Sequence, residues 1–453
     1  MKTQHALNLA VLLFAAVTAA SAPAEQQVAV DAAMNQSAFL AGEKQTGYLR
    51  VAMTGFEVEE ADRTPVNVAI VLDKSGSMGG EKIQHAREAA VMAIQRLRAD
   101  DIVSVVVYDT TVNVLVPATK LSNKEAVIDT VRSISAGGNT ALFAGVSRGA
   151  NEVRKFHSKN RVNRVILLSD GLANVGPSAP SDLAELGQSL GRENISVTTI
   201  GLGLGYNEDL MTQLAMHSDG NHMFAETPTE LAGVFDAEFG DVLAVVAQDV
   251  LVTIELDARV RPVRGLGREM DIALQRATVR LNQLYAGQMK YALLEVELPA
   301  YTGEALLLPS PTPIATVGVT YVNMKTQSLE RIFKKVAVRL TAEPDEARAS
   351  VNKDIMASAV EQIALEKNRW ALELRDEGKI DQAREALLDN AQFLNSNAIQ
   401  LHNEKLKAQA GSNEIDAQNL DPGAWARQRK LMRSNQYRVM KQQADQPQSR
   451  QEP

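Results

Sequence analysis

Val68-Ala69-Ile70-Val71-Leu72-Asp73-Lys74-Ser75-Gly76-Ser77 decides the reading of this chain. The first five residues are an apolar run that reads as a buried strand, and the turn leaving it carries a carboxylate and two hydroxyls. Those are oxygen ligands of the kind a hard divalent cation takes. Two later stretches extend the pattern. Gly137-Gly138-Asn139-Thr140 offers another hydroxyl, and Leu167-Leu168-Ser169-Asp170-Gly171 offers a second carboxylate behind a second apolar strand. In open α/β sheets ligands bind outside the carboxyl ends of the strands, which is where these turns would lie.

The surrounding periodicity supports such a sheet. Ile83, Ala86, Ala90, Ile94 and Leu97 recur at helical spacing, Ile102 to Val107 returns as a strand, and Val127, Ile128, Val131 and Ile134 are helical again. Thr140 to Phe156 reads as one helix, followed by a strand at 165–168, a helix near 181–192 and a strand at 195–200. Continuous apolar strands alternating with helices indicate a doubly wound, mostly parallel sheet covered on both faces.

The three turns, taken in order, resemble the metal-ion-dependent adhesion site of the von Willebrand factor type A domain, and the resemblance covers roughly residues 63–245. It implies a Rossmann-like fold in which Ser75, Ser77 and Thr140 are hydroxyl ligands, while Asp73 and Asp170 hold the ion largely through bound water. Neutral hydroxyls leave a cation under-neutralised, so it keeps an attraction for an external carboxylate. Mg²⁺ suits such a site because it favours near-octahedral oxygen and keeps displaceable waters; Ca²⁺ and Mn²⁺ are alternatives. The partner implied is a protein offering Glu or Asp to the metal. Asp and Ser also cap helices, but capping requires neither Thr140 nor Asp170. An EF-hand loop fails at its sixth position, Met78, and its twelfth, Gln84.

Two fragments imitate other chemistries. Gly145-Val146-Ser147-Arg148-Gly149 matches the nucleophile elbow of serine hydrolases, but no strand leads into Ser147. A serine hydrolase using Ser147 is the remote alternative, and the chain is otherwise expected not to be an enzyme. Gly201-Leu202-Gly203-Leu204-Gly205 resembles a dinucleotide loop, yet the third glycine of that motif is replaced by Tyr206 and the strand comes late in the fold. A tight turn with Asn207 capping the helix that follows is the reading taken. His85, His157, His217 and His222 show no metal-ligand spacing.

The 453 residues are 45% hydrophobic and 23% charged, enough to bury two or three cores, and the net charge of −8 argues against wholesale nucleic-acid binding. There is no cysteine, which excludes disulfides and thiol catalysis. Lys2, the apolar stretch Leu7 to Ala20 and the small residues up to Ala24 read as a cleaved signal peptide over 1–24. A periplasmic or secreted protein is therefore expected.

Outside 63–245 the pattern turns to alternation. Tyr48 to Met53, Leu251 to Leu256, Tyr291 to Leu298, Ala315 to Val322 and Val336 to Leu340 read as strands separated by Gly and Pro. We read residues 25–62 and 246–344 as one β-sandwich with the α/β domain inserted in its chain. This layout resembles secreted bacterial proteins of the calcium-activated chloride-channel-like and inter-alpha-trypsin inhibitor heavy chain type. Residues 345–411 read as a helical hairpin divided at Gly378-Lys379, and 412–453 as a flexible basic, Gln-rich tail. Arg427, Arg429, Lys430, Arg433, Arg438 and Lys441 would allow that tail a weak contact with anionic lipid or an acidic partner. The reading that results is a metal-dependent adhesion or assembly protein of the bacterial envelope. Its alternative is a structural scaffold in which the ion only stabilises the domain.

Overall fold

The structure, a computed structural model, describes residues 26–302 and 310–442. The leader expected at 1–24 lies outside them. Three strands open the chain: β1 (Ala29–Met34), β2 (Ala38–Leu40) and β3 (Gln45–Thr54). Next comes an α/β domain of β4 (Val66–Asp73), α1 (Glu81–Arg96), β5 (Ile102–Tyr108), β6 (Val112–Lys120), α2 (Lys124–Arg132), α3 (Leu142–Arg154), β7 (Val162–Ser169), α4 (Pro180–Arg192), β8 (Ser196–Leu202), α5 (Glu208–His217), β9 (His222–Ala225) and α6 (Leu231–Leu243). Its sheet has the order β6-β5-β4-β7-β8-β9, with every neighbouring pair parallel except β5 with β6.

Strand β4 shows why the run at 68–72 was decisive. All eight of its residues are buried, and alternate side chains serve opposite cores. Val66, Val68, Ile70 and Leu72 pack with α1, α2 and α6, whereas Ala69 and Val71 pack with α3 and α5. Helix α3 lies so close to the sheet that a Cβ on Gly149 would sit 2.5 Å from Val71 Cγ2, and one on Gly145 would sit 2.7 Å from the Tyr108 ring. The glycines of the elbow-like motif are thus packing residues within a helix. That helix begins at Leu142, two residues later than its sequence suggests, and leaves Thr140 in the loop before it.

The chain then returns to the sandwich through β10 (Val245–Leu256), β11 (Arg261–Leu266), β12 (Asp271–Ala273), β13 (Arg276–Tyr285), β14 (Met289–Leu298), β15 (Thr312–Asn323) and β16 (Leu329–Thr341). One sheet has the order β1-β3-β14-β11 and the other β12-β13-β10-β15-β16-β2. Val51 and Met53 of β3 and Leu294 and Val296 of β14 face Val252, Ile254, Val317 and Val319 across one core. A fully buried ion pair of the α/β domain is tied to the sandwich by a hydrogen bond. Arg164 on β7 lies 3.1 Å from Glu238 on α6 and donates at 3.0 Å to the hydroxyl of Tyr285 on β13.

The C-terminal region departs from expectation. After the short α7 (Pro344–Ala349), α8 (Lys353–Asp376) and α9 (Ile380–Leu401) form the hairpin, but α10 (Glu404–Gln418) and α11 (Pro422–Met440) follow and complete a bundle. Leu372, Leu387, Ala417, Leu420 and Met432 share its core. The basic stretch is a helix, and its charges are largely spent inside the molecule. Lys430 Nζ donates to Tyr206 O at 2.8 Å and pairs with Glu208; Arg429 pairs with Glu208, Asp209 and Asp376; Arg433 with Asp209; Arg427 with Glu226; Lys441 with Asp219. The acidic partner of the basic segment is therefore this chain itself, chiefly its α/β domain, so 412–442 is not a free tail; the rest of the expected tail, 443–453, lies outside the described residues. Among the described residues no helix is long and apolar enough to cross a membrane.

Two outcomes follow from this packing. Gly149→Ala should destabilise the fold by about 1–3 kcal/mol, the range for overpacking a close contact, read as a lower urea midpoint. Deleting 412–453 should lower the midpoint further and increase binding of a hydrophobic dye, because Glu208 and the α8–α9 core lose their cover; an unchanged midpoint would restore the free-tail reading.

Candidate functional site

The carboxyl edge of the parallel sheet brings the five sequence-selected residues together. Asp73 ends β4, Ser75 and Ser77 follow it in the turn, Asp170 follows β7, and Thr140 comes from the loop before α3. Leu72 is level with Leu168 in the β4–β7 register, so the two strands release their acidic turns side by side.

Asp73 is fully buried and holds the turn. Its Oδ1 accepts the Ser75 N–H at 2.8 Å and its Oδ2 accepts the Ser169 hydroxyl at 2.7 Å. With both oxygens engaged, it is suited to position the turn and to act on an ion at one remove. The Ser75 and Ser77 hydroxyls lie 3.1 Å apart, and Ser77 donates to Asp170 Oδ1 at 2.6 Å. A Cβ placed on Gly171 would meet Thr140 Oγ1 at 3.2 Å and Ser77 Oγ at 3.4 Å, so both hydroxyls border the space that glycine leaves. Neighbouring ligands of one octahedral cation with bonds of 2.0–2.1 Å stand about 2.9 Å apart. The 3.1 Å between the Ser75 and Ser77 hydroxyls is near that value, and an all-oxygen set of this kind fits a hard divalent ion.

Backbone bonds fix the loops. The Gly76 N–H donates to Gly138 O at 2.9 Å, and the Gly137 N–H to Lys74 O at 2.7 Å, which hooks the second loop to the first. Gly138 adopts φ +86°, a left-handed conformation that favours glycine. Asn174 clasps Thr140 from both sides: its Oδ1 accepts the Thr140 N–H at 2.8 Å, and its own N–H donates to Thr140 O at 3.1 Å.

Burial pushes the Asp73 carboxyl above its usual range. Hydrogen bonds from Ser75 and Ser169 oppose the rise, and the nearby charge of Asp170 adds to it. Two cations that sequence reasoning passed over respond to this negative field. Lys82, on the first turn of α1, donates to Asp170 Oδ2, and Lys74 pairs with Asp109 beside the Thr140 loop. Ser169 and Asn174 were also missed as supporting groups. Ser169 stood in the quoted motif, but only the register shows that its hydroxyl reaches Asp73.

The decoys resolve as packing. Ser147 sits in the middle of α3 with no strand leading into it, so it has no elbow geometry. Gly201 and Leu202 end β8, and 203–207 is the turn into α5, where a Cβ on Gly205 would lie 2.7 Å from Asp170 O and Asn207 accepts the N–H groups of Asp209 and Leu210. His222 is buried, and burial lowers its pKa to about 4; its Nδ1 lies 2.9 Å from Thr199 Oγ1. Among the described residues no group of three or more His, Asp or Glu side chains is placed to hold a metal, which leaves the hydroxyl-rich edge as the candidate.

Comparison with known proteins agrees with this geometry. The sequence profile of the von Willebrand factor type A domain matches residues 67–237. An uncharacterized Synechocystis protein, sll0103, is 29% identical over 60% of this chain and 65% of its own length. Inter-alpha-trypsin inhibitor heavy chain H3 of Pongo abelii is 29% identical over 43% of this chain and 22% of its own. The chain thus spans less than two thirds of the length of either relative. A solved von Willebrand factor type A structure from Catenulispora acidiphila superposes with a TM-score of 0.70 at 16% identity, covering 94% of this chain and 99% of the other, which extends the likeness of fold to the sandwich and the helices. With its sheet order, its strand-end loops and the profile match all in agreement, residues 67–237 of this chain form a von Willebrand factor type A domain.

Proposed function

We propose that the chain is a non-enzymatic binding protein of the bacterial envelope, periplasmic or secreted, which captures an acidic side chain of a partner protein through a divalent cation. The domain type typically mediates metal-dependent protein interaction. The observation that carries the finer reading is the composition of the strand-end cluster: three hydroxyls and two carboxylates, one of the latter fully committed to backbone and Ser169. Ser75, Ser77 and Thr140 would hold the ion directly, with Asp73 and Asp170 behind them. Mg²⁺ is the ion we favour, with Ca²⁺ and Mn²⁺ as alternatives. A bound ion would supply uncompensated positive charge at an exposed edge, where a Glu or Asp from outside completes its oxygen shell. The residues of this chain supply the rest: Asp73 sets the turn, Asn174 fixes Thr140, and Gly171 keeps the space open.

Calorimetric titration with Mg²⁺ and Mn²⁺ tests the site. Thr140→Ala and Ser77→Ala should each weaken binding at least about tenfold with an unchanged unfolding midpoint. Lys82→Gln should tighten it, because a like charge beside Asp170 is removed. For the partner, capture from envelope extract should succeed with the parent in Mg²⁺ and fail in EDTA or with Thr140→Ala. Equal capture in all three conditions would move the function to the sandwich and the helical bundle, with the ion serving stability.

A further inference from the structure

A cavity of about 510 Å³ lies between the β3–β14 face of the sandwich and helices α8, α10 and α11, far in sequence from the strand-end loops and independent of their reading. Its size falls in the range of small-molecule sites. Leu365, Leu394, Leu406 and Met432 give it an apolar wall. Two acceptors on that wall lack what their chemistry calls for.

Asp416 is only 8% exposed, and its carboxylate receives Gln428 Nε2 at 2.5 Å and Asn368 Nδ2 at a long 3.5 Å. It has no ion pair among the described residues, in contrast to Glu361 on the same cavity, which has Lys405 at 2.8 Å. A buried carboxylate without a cation is costly, and burial pushes this one up to about 6 while the two amides oppose the rise. Gln442, 1% exposed, is the second acceptor. Its Nε2 is spent on Leu266 O, whereas its Oε1 has no donor among the described residues. At the far end stands Arg50, whose guanidinium donates to Ser358 Oγ at 3.3 Å. Ser358 and Asn368 mark the two ends on α8, a rise of about 15 Å at 1.5 Å per residue, with Leu365 between them.

We propose that this cavity binds a primary aliphatic amine, its ammonium group seated on Asp416 and its apolar chain lying along Leu365 and Met432. The ammonium offers three donors and the charge that Asp416 lacks. Arg50 disfavours a second cation at the other end, so a monoamine fits better than a diamine. No covalent step is involved.

The test uses the full chain with n-hexylammonium chloride and, as a neutral control of the same length, hexan-1-ol, by calorimetry at pH 7.5. The ammonium should bind about tenfold or more tightly than the alcohol, and Asp416→Asn should erase that ratio while retaining the parent's circular dichroism spectrum. Equal affinity for the two probes, binding of neither, or a preference that survives Asp416→Asn would each overturn the proposal. If Asp416→Asn does not fold, the ratio measured on the parent decides alone.

Discussion

Burial of the parallel sheet on both faces is the constraint from which the rest follows. A strand such as β4, with every side chain inside, has no room for chemistry along its length, so polar groups are pushed to its ends. At the carboxyl end they become the Asp73, Ser75 and Asp170 cluster. At the opposite end, where the domain meets the sandwich, the same exclusion of water makes the Arg164–Glu238 pair necessary: each charge offsets the other, Thr198 and Asn221 donate to Glu238, and Arg164 donates to Tyr285. One end of the sheet carries the candidate site; the other faces inward and anchors.

This division explains how much could be read from the chain alone. Strand runs at 68–72, 102–107 and 165–168 were legible because continuous apolar sequence has few other uses, and the cluster was legible because its residues are tied to strand ends. The support of the site was not. Lys82 and Asn174 reach it from α1 and from the loop after β7, and nothing in their immediate neighbours signals where they point. Strand β13 was overlooked although Ala277, Val279 and Leu281 alternate in burial, because Thr, Arg and Asn between them dilute the pattern. Edge strands β1, β2 and β9 are short, and β2 takes its register from β16, about 300 residues away in sequence.

The last helix was misread for a different reason. Its buried face is made of Gln428, Lys430, Met432, Gln436, Tyr437 and Met440, half of them polar. Hydropathy sees a solvated segment there. Burial is achieved by matching charge instead, with Lys430 on Glu208 and Lys441 on Asp219, and the acids concerned lie about half the chain away. Composition can report that opposite charges exist in two regions; only the fold brings them into contact. The helix that results is held by polar pairing as much as by apolar area, which suits an element lying between two units and not inside either.

The insertion of the α/β domain between β3 and β10 also sets the order in which this molecule can be assembled. Strand β3 pairs with β14 over ten positions, Gln45 opposite Leu298 through Thr54 opposite Met289, and everything in the α/β domain separates them along the chain. During synthesis β1 to β3 emerge without their partner. The α/β domain, whose contacts are made within one continuous stretch, can close first, and its two ends, Val66 and Val245, meet in the same core. Once folded, it converts a long flexible loop into a short rigid connector, which lowers the entropy that closing the sandwich would otherwise cost. The α/β domain is thus the clasp that allows the sandwich to form.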